Sequence, residues 1–99
     1  MAIPTFENVM LPLLELLGDG ATRQFSEIVP ALADEFDLSP EEREHRIPSR
    51  RMTTIRSRTY WAAFYLDKAN LLEKPGRGTL QITQRGTDIL SNTRLHDRP

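Results

Sequence analysis

Residues 53–83 read TTIRSRTYWAAFYLDKANLLEKPGRGTLQIT, and a change of period inside this stretch decides the fold. Up to Ala69 the small and apolar residues Ile55, Thr59, Ala62, Leu66 and Ala69 recur at helical steps on one face. The spacing predicts a long helix from Thr53 or Thr54 to Ala69, with Tyr65 beside the stripe and Trp61 in the core. Asn70 stops it, because Asn tolerates a positive φ. The period then drops to two. Leu71–Pro75 is a short run, Gly76-Arg77-Gly78 is a turn, and Thr79–Thr83 alternates strictly, with Leu80 and Ile82 facing inward. That pattern predicts a β-hairpin.

Upstream of this stretch, helical signals dominate. Thr5 caps a first helix over 6–17, whose face is Phe6, Val9, Met10, Leu13, Leu14 and Leu17. Gly18-Asp19-Gly20 ends it. A short strand is expected within 21–25. A second helix follows over 26–36, capped by Ser26 and faced by Ile28, Val29, Leu32, Ala33 and Phe36. Ser39-Pro40-Glu41-Glu42 opens a short third helix: a cap, a proline at its first position, and acids at the positive end of the dipole. His45–Met52 reads as an Arg-rich loop broken by Pro48. Downstream of the hairpin, Thr83 caps a last helix over 84–90.

The fold class is therefore mainly α with a small β-hairpin, a winged helix-turn-helix. Residues 1–90 form the domain, and residues 91–99 form a polar tail or linker. In this plan the long helix reads a groove of nucleic acid and the hairpin is the wing.

The 99 residues suit a single core. No apolar run approaches the ~20 residues that span a bilayer, so no membrane partner is expected. The absence of cysteine excludes disulfides and thiolate zinc sites, and fits a cytoplasmic protein. The net charge of −1 conceals a split. Residues 1–44 carry ten acids against two bases, net −8; residues 45–99 carry eleven bases against four acids, net +7. What matters for nucleic acid is one basic face, not the total.

The basic residues fall where such a fold meets double-stranded DNA. From Arg46 to Arg58 there are five Arg and no acid. Arg50 and Arg51 suit phosphate contact. Thr53 and Thr54 offer hydroxyls beside helix N-terminal N–H groups. Arg56, Ser57 and Tyr60 lie opposite the apolar stripe and point toward a groove, where Arg pairs with guanine in bidentate fashion. Arg77 sits at the hairpin tip between two glycines. These eight are the candidate DNA-binding residues.

Catalytic constellations are missing from the sequence. An Asp/Glu-x-Lys nuclease motif needs a carboxylate two residues before a lysine, but Leu66 and Leu72 precede Lys68 and Lys74 there. His45 and His96 lack metal-ligand spacing. Gly76-Arg77-Gly78 lacks the Lys-Ser/Thr of a phosphate-cradling loop. No catalytic, metal or cofactor residue is assigned.

Several stretches form a recognisable set: Pro4-Thr5-Phe6, Leu11-Pro12-Leu13-Leu14, Ala31–Phe36, Leu38–Arg43, Arg58-Thr59-Tyr60-Trp61-Ala62, Tyr65-Leu66, Ala69–Glu73, Arg77–Thr83 and Arg85-Gly86. Together they resemble the N-terminal domain of the Mrr restriction endonuclease family. Asn70 stands where that family usually has Gly, and Ser57 where it often has Asn. The resemblance implies a DNA-targeting winged helix that precedes a C-terminal nuclease domain cutting DNA with modified bases. No such nuclease domain lies within these 99 residues, so the chain itself is expected to be non-catalytic. The alternative reading is a winged-helix protein-interaction or dimerisation module, with a homodimer as its partner.

Overall fold

The structure is a computed structural model and describes residues 3–96. Its elements run α1 (Phe6–Leu16), β1 (Arg23–Gln24), α2 (Phe25–Glu35), α3 (Pro40–Glu44), α4 (Thr54–Lys68), β2 (Leu72–Glu73), β3 (Thr79–Ile82) and α5 (Gln84–His96). Mainly helical, with a small antiparallel sheet, the arrangement is compatible with a winged helix. Among the described residues, no helix is long and apolar enough to cross a membrane.

Local chemistry sets most boundaries. The Thr5 side chain accepts the Asn8 N–H at the start of α1. Ser39 and Glu42 complete a reciprocal capping box at α3. Helix α4 ends through Asn70, whose φ of 62° lets the Leu71 N–H reach the Leu66 carbonyl at 2.9 Å. Asp37, at φ 52°, ends α2 in the same way, with the Leu38 N–H on the Ala33 carbonyl. Thr83 starts α5 by accepting the Gly86 N–H.

Helices α1, α2 and α4 each end one residue before the expected position, and two further differences have identifiable causes. Helix α2 begins one residue early, with Gln24 rather than Ser26 at its cap and no side-chain cap bond. The cause is non-local: the Phe25 N–H donates to the Gly78 carbonyl at 2.7 Å. Helix α5 continues past Leu90 to His96, where a polar tail was expected. No Gly or Pro follows Gly86 until Pro99, so polarity alone does not break the helix. Residues 97–99 lie outside the described residues.

The sheet has the order β1-β3-β2. Leu72 pairs with Ile82 and Glu73 with Gln81 in the hairpin, while β1 adds Arg23 opposite Leu80 and Gln24 opposite Thr79. The short strand expected near Phe25 thus ties the start of α2 to the hairpin.

The main core joins Val9, Leu13 and Leu17 of the first helix region to Leu32, Leu66 and Leu80. Helix α1 packs most extensively on α4, and Ala62 and Leu66 of α4 share its core. That packing overturns one expectation. Trp61 is 45% exposed rather than core, because the buried stripe of α4 runs through Ile55, Thr59, Ala62 and Leu66 and leaves position 61 outside it. Ala69, expected to close the stripe, is exposed at the helix cap. A second cluster of Ala33, Leu38 and Ile55 fixes the start of α4 against α2 and the turn that follows it.

Candidate nucleic-acid interface

The start of α4 is held by the segment before it. Thr53 caps the helix, its Oγ1 accepting the Arg56 N–H. Arg46 pairs with Thr53 in an isolated antiparallel bridge. The Ile47 N–H reaches the Met52 carbonyl at 3.2 Å, and the Arg50 N–H reaches Ile47 at 2.8 Å. The expected loop is thus a small closed hairpin. Arg50 turns it at φ 61°, and the Arg46 Nη1 donates to the Arg50 carbonyl. Arg46, Arg50 and Arg51 are all exposed on it.

Thr53 and Thr54 were expected to offer hydroxyls beside free N–H groups. The geometry assigns them other work. The Thr53 hydroxyl is engaged as the cap. Thr54 is only 5% exposed, its Oγ1 lies 2.8 Å from His45 Nδ1, and its N–H donates to the His45 carbonyl. Thr54 therefore turns inward and secures the loop.

Arg56 and Tyr60 stand one helical turn apart and are exposed. With Arg77 they line a cleft of about 570 Å³ between α4, the start of α2 and the hairpin. Met52 reaches the same cleft, so the Arg-rich hairpin adjoins it. The guanidinium of Arg56 lies over the Phe25 ring, 4.9 Å from its centroid. Lys74 lines the cleft as well. The sequence reading missed it, although a lysine just before a glycine turn is a readable signal. Among the described residues, no carboxylate lines this cleft.

Ser57 falls elsewhere, in a shallow hollow with Phe6, Arg58, Trp61 and Tyr65. Arg58 donates to the Pro4 carbonyl at 2.9 Å and so ties the chain before α1 to α4. Beside that hollow the outward face of α4 is aromatic. Tyr60 meets Trp61 edge-on at 5.5 Å, and Tyr65 stacks on Phe6 at 5.2 Å.

The charge split survives folding. Both bases of the acidic first half are taken up within it, Arg23 by Asp19 at 2.6 Å and Arg43 by Asp34 at 2.8 Å.

Comparison with known proteins adds one match. The family model described as the Mrr N-terminal domain matches residues 6–92. No curated protein and no solved structure matches the chain. The match spans every element from α1 into α5, including both hairpins and the cleft between them, and on that coverage the chain belongs to the Mrr N-terminal domain family.

Proposed function

We propose that this domain binds double-stranded DNA as the targeting module of a modification-dependent, Mrr-like restriction endonuclease. The observation that carries the reading is the cleft where Arg56, Lys74 and Arg77 converge from two elements with no carboxylate among the lining residues. Three cations held together attract a polyanion far better than three scattered ones. Arg46, Arg50 and Arg51 are exposed on the adjoining hairpin, where Arg46 and Arg50 line a separate hollow with Glu44. Helix α4 enters the major groove, Arg56 and Tyr60 face base edges, and the two hairpins hold phosphates on either side. Cleavage belongs to a C-terminal nuclease domain acting with this module in the cytoplasm; the module itself only targets.

The test is a duplex mobility shift across a salt series. With about four to six phosphate contacts, log K falls against log[salt] with a slope of roughly −4 to −5. No duplex binding at low salt, or binding indifferent to salt, overturns the proposal.

A second reading, a protein-interaction or dimerisation module, is favoured by one observation. Tyr60, Trp61 and Tyr65 are 48%, 45% and 46% exposed along one helix, and aromatic side chains of this kind are enriched at protein interfaces. A sizing run beside the mobility shift separates the two readings, since self-association without DNA binding supports the second.

A further inference from the structure

The cleft beside Arg56 has a feature that contact with a phosphate backbone does not use. Its floor is apolar: Phe25, Met52, Ala63 and Leu80. A backbone strand asks only for cations and hydrogen-bond donors, and a purely apolar ligand has no use for Arg56, Lys74 and Arg77 above it. A group that uses both has a flat face and carries a phosphate.

The size agrees. About 570 Å³ lies within the ~300–1,000 Å³ range of small-molecule sites. The walls agree too. Tyr60 is exposed at the rim, the flat Arg56 guanidinium lies over the Phe25 ring, and the main chain at Phe25 is anchored to Gly78 across the cleft. Aromatic rings and arginine guanidinium planes both stack on bases.

We infer that the cleft takes one nucleoside phosphate unit, its base against the Arg56–Phe25 stack and the Leu80 floor and its phosphate toward Lys74 and Arg77. On the DNA-binding reading, on which this inference rests, the unit is a nucleotide unstacked from the duplex. Unstacking costs least at a mismatch or bulge, so such DNA is favoured over a perfect duplex. A free nucleotide carries the same chemistry, and the experiment separates the two sources.

Three measurements on the full chain test this. First, 2-aminopurine placed in a duplex reports unstacking. Its fluorescence rises several-fold on binding, and a single-base bulge is bound about tenfold more tightly than the perfect duplex. Second, millimolar dAMP shifts the amide resonances of Phe25 and of Lys74–Thr79. Third, Ser26→Trp, placed at the exposed rim, plugs the cleft without removing a cation. It abolishes the bulge preference while perfect-duplex binding keeps its salt slope.

Duplex binding with no fluorescence rise, no bulge preference and no dAMP shifts overturns the inference and leaves DNA binding standing. Failure to bind any DNA, with no dAMP shifts, overturns both. Shifts with dAMP but no fluorescence rise support the site and assign it to a free nucleotide. The first two measurements use the unaltered protein and decide the matter even if Ser26→Trp does not fold.

Discussion

Arg56 lays its guanidinium over the ring of Phe25, 4.9 Å from the centroid, and so joins the first turns of α4 and α2. The contact holds the cation over the cleft, and a side chain already held loses less freedom on binding. If Arg56 reads a base, Arg56→Ala lowers affinity for the preferred duplex about tenfold or more and reorders preference among duplexes. Arg56→Lys recovers the charge but not the two-pronged pairing. Competition mobility shifts at fixed salt check this; equal weakening of every duplex would make Arg56 a phosphate contact.

Arg50 and Arg51, on the adjoining hairpin, are expected to act differently from Arg56. Each removal is expected to weaken all duplexes alike and to reduce the salt slope by about one. At Arg50 the choice of replacement matters. Its φ of 61° suits Gly and strains Ala, so Arg50→Gly isolates the charge where Arg50→Ala would add backbone strain. A slope unchanged in both Arg50→Gly and Arg51→Ala would remove this hairpin from the interface.

The features read correctly from sequence are those set by neighbours along the chain. Ser39 and Glu42 are three residues apart, and the turn at Asn70 needs only its own φ. What sequence concealed depends on distant contacts. The start of α2 is fixed by a carbonyl 53 residues away, at Gly78. Trp61 lies outside because the side of α4 that joins the core of α1 carries Ala62 and Leu66 instead. Thr53 and Thr54 look interchangeable as letters, yet one caps the helix and the other turns toward His45. For the site, Arg56 and Tyr60 were legible as one face of a helix. That they share a cleft with Arg77 and Lys74 follows only from how the hairpin folds back.

Trp61 is the only tryptophan in the chain, so its exposure has a direct readout. Its emission is expected to be that of a solvent-exposed indole, and neutral acrylamide should quench it freely. Trp61→Gln should cost about 1 kcal/mol or less, well below the ~3–5 kcal/mol of emptying a buried aromatic site. A blue-shifted, unquenched emission in the monomer would contradict the exposed placement. If the shift appears only at high protein concentration, the face is covered by a second copy.

Gly86 carries a stability prediction independent of DNA. It is buried at the first turn of α5, against the carbonyl of Leu71. A Cβ there would collide with that backbone oxygen and come within 2.7 Å of Ile82 Cγ1. Backbone cannot swing aside as a side chain can, so α5 must lift from the hairpin. Gly86→Ala is expected to destabilise by about 1–3 kcal/mol, the usual cost of overpacking. In a domain this size that is a fall in Tm of roughly 4–8 °C for each kcal/mol. Gly76→Ala serves as the control. Its nearest foreign atom is the Thr79 hydroxyl at 3.3 Å on an exposed tip, and a much smaller change is expected.

Asp19 gives the chain a predictable acid response. Its carboxylate accepts the Ala21 N–H at 3.0 Å and the Arg23 Nη2 at 2.6 Å. These bonds, the backbone one first and the Arg23 side chain second, hold its pKa below the ordinary 3.8. A carboxyl whose pKa is lowered by folding binds fewer protons folded than unfolded. Its contribution is therefore present above the unfolded value and is lost as pH falls through the folded one. Asp19 is exposed, so solvent screens the pair and the effect is small. Asp19→Asn isolates the charge, because the amide oxygen can still accept the Ala21 N–H. Wild type should melt slightly above Asp19→Asn at pH 7, and the gap should narrow below pH 3.8 and close under the folded pKa. A gap constant down to about pH 2 would place the contribution in the geometry of the Gly18–Gly20 turn instead of the carboxylate charge.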